Sequence, residues 1–163
     1  MFTLGILTIS DKGSQGERAD ESGMVIREAL GAYDVQVVKY DIVPDEGDLI
    51  SAKIVEWTDK EGIDLILTTG GTGLSPRDVT PEATLAVLDR NAPGFVEAMR
   101  AESLKKTAKA MLSRAVAGIR GGSLIINLPG SPRAVRECLE VILPVLPHAI
   151  EVLRGEVGEC GEH

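Results

Sequence analysis

Apolar residues in this chain fall into short unbroken runs, and longer segments with helical spacing lie between them. Residues 3 to 9, TLGILTI, form the first run and are followed by the polar, glycine-bearing SDKGSQGERADESG. That pattern predicts a strand buried on both faces, then a long loop. A helix is expected next, with Met24, Ile26, Ala29 and Leu30 facing inward and Gly31 as its stop. Residues 35 to 43, VQVVKYDIV, read as a second strand. PDEGD then opens a helix carrying Leu49, Ile50, Ile54 and Trp57 at helical spacing and ending at Gly62.

A third strand is predicted over residues 63 to 69, IDLILTT, running directly into glycines. The segment TPEATLAVLD should be the next helix, with Thr80 as N-cap, Pro81 at its first position and Glu82 favoured by the helix dipole. GFVEAMRAESLKK reads as a further helix, and VAGIR and SLIINL as two strands separated by Gly121 and Gly122. A last helix begins at Ser131 and Pro132, buries Val135, Leu139, Ile142, Leu146, Ile150 and Leu153, and is broken or kinked at Pro144 and Pro147.

Strands alternating with helices imply an α/β fold: three α/β/α layers around a mostly parallel, Rossmann-like sheet with right-handed crossovers. One domain is expected over residues 1 to 154, with a frayed, flexible tail from Gly155. In such sheets ligands sit beyond the carboxyl ends of the strands, so the loops after Ile9, Val43, Thr69 and Leu128 should converge on one edge.

Composition narrows what that edge can hold. The 163 residues are 44% apolar, enough for a real core, and 17 Lys+Arg against 25 Asp+Glu give a net charge of -8. An acidic surface with 3% aromatics argues against nucleic acid as a partner, by charge and by lack of stacking platforms. Two cysteines, Cys138 and Cys160, and two histidines, His148 and His163, are not at the spacing of a zinc site, and the thiols read as reduced. No run of eighteen apolar residues and no signal-peptide pattern occurs, so no membrane association and a cytoplasmic location are expected.

Candidate chemistry begins at TTGGTGLSPRDVTPEAT. Three glycines within four residues, Gly70, Gly71 and Gly73 around Thr72, permit positive φ and close approach of backbone N–H groups to an anion. The segment is neither a Walker A loop nor G-x-G-x-x-G, and a plain flexible turn is the competing reading. LIINLPGSPRAV repeats the strand, turn and helix-start design, so free N–H groups near Pro129, Gly130 and Ser131 are a second anion site, unless Ser131 is only an N-cap. Asp11, Asp45 and Asp78 follow three of the strands. Carboxylates beside phosphates repel, and a divalent cation, Mg²⁺, held by one or two carboxylates, from Asp45 and Asp78, together with phosphate oxygens, would relieve this. Asp45 could instead cap the next helix, and Asp78 could close an Asx-turn. Arg77, Arg114, Arg133 and Lys12 lie closest in sequence to these loops and could balance phosphate charge.

Taken together, TISD, VPDE, TTGGTGLSPRDVTPEAT, PGFVEAMR, MLSRAVAGIRG and IINLPGSP resemble the molybdopterin adenylyltransferase family, over residues 3 to 154. The same domain type resembles the amino-terminal domain of gephyrin. The resemblance implies attack of molybdopterin's terminal phosphate on the α-phosphate of ATP, with Mg²⁺ and release of pyrophosphate. It implies a nucleotide site at Gly70, Gly71, Thr72 and Gly73 with Ser10 and Asp11 nearby, and critical aspartates at Asp45 and Asp78. The pterin end would meet Ser113, Arg114, Asn127, Pro129, Gly130 and Ser131. A homo-oligomer, a trimer, is implied by resemblance alone. The alternative is a paralogue that binds molybdopterin or its precursor without turnover.

Overall fold

The computed structural model describes residues 1–157; the rest of the expected tail, with Cys160 and His163, lies outside the described residues. Six strands form one sheet: β1 (Phe2–Ile9), β2 (Val35–Val43), β3 (Leu65–Thr69), β4 (Arg90–Asn91), β5 (Ala117–Arg120) and β6 (Ser123–Leu128). Their spatial order is β2-β1-β3-β6-β5-β4. The first four are parallel neighbours, whereas β5 and β4 add an antiparallel edge. The helices are α1 (Asp11–Ser14), α2 (Glu21–Leu30), α3 (Gly47–Val55), α4 (Thr80–Leu85), α5 (Gly94–Leu104), α6 (Pro132–Ile142) and α7 (Leu146–Leu153).

The central strands are apolar on both faces because both are covered. Leu4, Ile6, Leu65, Leu67, Leu124 and Ile126 enter one core with residues of α2, α5, α6 and α7. Leu7, Ile66 and Ile125 enter a second core with Ile50, Ile54, Trp57 and Ala83. Three layers result, as the alternation predicts. Gly5 is required by this packing, since a Cβ there would come within 2.7 Å of Trp57 Cε3.

Several local expectations are corrected. Met24 and Leu49 face solvent, at 59% and 48% exposure, and Ser22, Gly23 and Val25 take the inward places on α2. The long loop after β1 contains the short turn α1, capped by Ser10, whose Oγ accepts from the Gly13 N–H at 3.0 Å. Val79, not Thr80, is the cap of α4; Thr80 is fully buried and spends its hydroxyl on the glycine loop. The helix with Trp57 continues as a π-turn, Glu56–Lys60, and a 3₁₀ turn, Ala108–Leu112, precedes β5. Pro144 falls in a 3₁₀ break, Leu143–Val145, that separates α6 from α7. Among the described residues no helix is long and apolar enough to cross a membrane.

Candidate functional site

The loops after β1, β2, β3 and β6 do meet at the carboxyl edge of the sheet. The β3 loop is fixed first. Gly70 and Gly71 have φ of +99° and +69°, and Gly70 N–H donates to the Leu128 carbonyl at 3.2 Å. Thr80 then clasps the loop from the start of α4: its hydroxyl donates to the Gly70 carbonyl at 3.0 Å and its N–H to the Gly71 carbonyl at 3.1 Å. The N–H groups of Gly71, Thr72, Gly73, Gly130 and Ser131 donate to no acceptor among the described residues. Unspent donors in a glycine loop, and those of Gly130 and Ser131 at the start of α6, suit an anion.

Asp45 and Asp11 bind each other reciprocally. Asp11 N–H donates to Asp45 Oδ2, and Asp45 N–H to Asp11 Oδ1, both at 3.0 Å. No side chain caps α3, so Asp45 is not a helix cap. Arg77 forms a fork with Asp11 (3.1 and 2.9 Å) and reaches Glu46 at 2.9 Å. Its guanidinium holds the Asp11 carboxyl below the usual range. Burial pushes the Asp45 carboxyl above its ordinary 3.8, and the charges of Asp11 and Asp78 add to the rise. Asp78 accepts from the Ser75 N–H at 3.0 Å through Oδ2. Each of Asp45 and Asp78 therefore keeps one carboxylate oxygen that accepts no hydrogen bond among the described residues.

A carboxyl with a raised pKa in the folded chain stabilises it fully below the unfolded value and loses that contribution as pH rises through the folded value. At neutral pH the ionised Asp45 thus weakens the fold. Asp45→Asn, which keeps an acceptor for the Asp11 N–H, is expected to melt no lower than the parent at pH 7, with its advantage shrinking toward pH 4. Melting curves at both pH values check this; a variant that melts several degrees lower at pH 7 contradicts it.

Two cavities open on this edge. The larger, about 680 Å³, is lined by Ser10, Asp45, Gly70, Gly71, Asp78, Gly130 and Ser131, together with Thr8, Arg18, Asp20 and Ser22. The second, about 500 Å³, takes Thr72, Gly73, Ser113 and Pro129 and extends to Val96, Met99, Arg100, Ser103, Thr107, Leu112, Ala115, Glu137 and Cys138. Gly71, Asp78, Gly130 and Ser131 belong to both walls.

Of the residues that the resemblance assigns to the two ligands, three line neither cavity, and nor do the candidate cations Lys12, Arg77 and Arg133. Asp11 faces Arg77. Asn127 is fully buried: its amide donates to Thr68 Oγ1 (2.9 Å) and Thr84 Oγ1 (3.1 Å) and accepts from the Val116 N–H (3.1 Å). Arg114 donates to the carbonyls of Gly73 and Asp78, each at 2.8 Å, and pairs with Glu82 at 2.6 Å, so it braces the glycine loop from behind. Ser131 is the N-cap of α6, its Oγ accepting from the Ala134 N–H, while its own N–H remains unspent. Arg133 is bound to Glu137 on the surface.

Sequence reasoning missed the α2 side of the larger cavity. Asp20 caps α2 and accepts from the Thr8 hydroxyl (2.8 Å), the Gly23 N–H (3.0 Å) and the Tyr40 hydroxyl. Ser22 donates to the Gly130 carbonyl at 2.7 Å, joining α2 to the second loop. An Asp three residues before a glycine at a helix start was the available signal.

A mostly parallel sheet with unspent N–H donors, two half-free carboxylates and two cavities meeting at one wall suits small anionic ligands. More narrowly, the chain belongs to the family described as the probable molybdopterin binding domain, whose model matches residues 5–148. It is 45% identical over 161 residues to a Helicobacter pylori protein named molybdopterin adenylyltransferase, with 98% of this chain and 92% of that one covered. It is 46% identical to gephyrin of Dictyostelium discoideum across 95% of this chain, which spans 23% of gephyrin. Among solved structures it matches the molybdopterin biosynthesis enzyme MoaB of Thermus thermophilus with a TM-score of 0.91 and 56% identity, covering 95% of this chain and 98% of that one. It also matches the tungsten cofactor synthesizing protein MoaB of Pyrococcus furiosus, with a TM-score of 0.86 and 38% identity over 94% and 97% of the two chains.

Proposed function

We propose that this chain is a molybdopterin adenylyltransferase of molybdenum cofactor biosynthesis, transferring AMP from ATP to the terminal phosphate of molybdopterin and releasing pyrophosphate. The observation that carries the reading is the wall shared by the two cavities, Gly71, Asp78, Gly130 and Ser131. Two ligands seated on either side of one wall can present phosphates to each other there, and much of the rate of phosphoryl-type transfer comes from such alignment.

The second cavity suits the pterin. Val96, Met99, Leu112 and Cys138 offer apolar and sulfur contacts to a flat, sulfur-bearing ring, and Ser103, Thr107, Ser113 and Glu137 offer partners for its polar edge. The larger cavity, with Ser10 and Gly70, suits the nucleotide. An oxygen of the pterin phosphate attacks the α-phosphorus; that P–O bond forms as the bond to the β-phosphate oxygen breaks, and pyrophosphate leaves. The N–H groups of Gly71, Thr72 and Gly73 receive the charge on the phosphate oxygens.

Among the described residues no three His, Cys, Asp or Glu side chains gather as a ready-made metal cage. The two half-free carboxylates of Asp45 and Asp78 fit Mg²⁺ all the same, because this ion commonly takes one or two carboxylates and completes its shell with phosphate oxygens. When bound, the ion supplies charge that lets phosphate and carboxylate share the site.

The test is pyrophosphate release by the purified protein. Release from Mg-ATP should depend on added molybdopterin. Tight pterin binding without any pyrophosphate would overturn the transferase reading in favour of a binding-only paralogue.

A further inference from the structure

We propose that Arg18 is the residue that holds the leaving pyrophosphate, an inference that rests on the transferase reading. Among the described residues, Arg18 is the only cationic side chain in the wall of the larger cavity, where it accompanies four acidic ones, Asp20, Glu21, Asp45 and Asp78. It makes no hydrogen bond and no ion pair among the described residues. The other arginines near the site are committed: Arg77 to Asp11 and Glu46, Arg114 to the glycine loop, Arg100 to the Ser113 carbonyl.

The backbone presents Arg18 from both sides. Upstream, Glu17 N–H donates to the Lys12 carbonyl at 2.9 Å. Downstream, Asp20 is held by Thr8, Gly23 and Tyr40. Those three donors occupy the carboxylate of Asp20, two residues after Arg18, and the guanidinium is left for a ligand.

Reaction geometry supplies the ligand. Attack comes from the second cavity and the α-phosphorus lies at the shared wall, so an in-line displacement sends the leaving group away from that wall, into the larger cavity. The bond to the β-phosphate oxygen breaks there, and charge grows on pyrophosphate. A guanidinium matches two phosphate oxygens in a fork, an arrangement an ammonium cannot copy.

Inorganic pyrophosphate, titrated calorimetrically with Mg²⁺, reports on this without turnover. Arg18→Ala should bind pyrophosphate roughly tenfold more weakly than the parent, and Arg18→Lys should fall between them. In the assay with molybdopterin, Arg18→Ala should lose roughly 10²-fold in kcat while molybdopterin affinity stays put. Arg18 is an exposed loop residue with no partner among the described residues, so both variants should melt with the parent. Equal pyrophosphate affinity in parent and Arg18→Ala, or no binding by the parent, overturns the assignment. If the parent binds pyrophosphate through Arg18 yet releases none from ATP, the transferase reading fails and the anion site stands.

Discussion

Asp78→Asn should lower pyrophosphate release on the order of 10²- to 10³-fold while leaving molybdopterin affinity nearly unchanged. Asp78 lies in the wall common to both cavities. Its Oδ2 is held by the Ser75 N–H, a bond that an amide oxygen can accept as well. The substitution therefore preserves the loop and removes one charge. What it takes away is half of the carboxylate pair facing the reacting phosphates, so the loss should appear in kcat. Full turnover in a correctly folded Asp78→Asn protein would remove Asp78 from the chemistry. A matching loss of pterin binding would make it a binding residue.

The second large effect belongs to Gly71→Ala, which should both destabilise the protein and silence it. With φ at +69° the new side chain sits in the left-handed region, and its Cβ would collide with the Thr80 hydroxyl and come within 3.1 Å of Asp45 Oδ1. Thr80 is fully buried and cannot step aside without dropping the Gly70 carbonyl. A stability loss of about 2–4 kcal/mol is expected, with turnover falling further because the N–H groups of the loop are re-aimed. Gly47→Ala is the control, since a Cβ there meets nothing within 4 Å. Chemical denaturation of the three proteins decides it: a Gly71→Ala midpoint equal to the Gly47→Ala midpoint contradicts the account of the loop.

Much of this site is legible in the residues themselves. The run from Leu65 to Thr69 followed by three glycines could be placed at a strand end without coordinates, because a fully buried parallel strand leaves its hydrophobic run unbroken. The cap role of Ser131 at the start of α6 also followed from local order. What local order could not distinguish was the direction of a side chain. Asn127 stands beside PGS in sequence, yet strand alternation turns its amide inward to Thr68 and Thr84. Arg114 is equally close to the loops, but a carbonyl-rich turn consumes its donors. The Asp11 and Asp45 clasp joins residues 34 positions apart, and the α6 wall of the second cavity, Glu137 and Cys138, comes from residues still farther from the glycine loop. Met24 was misplaced for a related reason: α2 turns Ser22 and Gly23 inward because they meet the Gly130 loop and Asp20, and the one large apolar residue between them and Val25 is left outside.

The most direct test of the two-cavity account is a crystal structure with molybdopterin, Mg²⁺ and a non-hydrolysable ATP analogue bound together. The account predicts the pterin against Met99 and Cys138, the triphosphate beside Gly70 and Arg18, and a pterin phosphate oxygen about 3–3.5 Å from the α-phosphorus next to Gly71 and Asp78. Both ligands competing for a single cavity, or an α-phosphorus lying away from the shared wall, would contradict it.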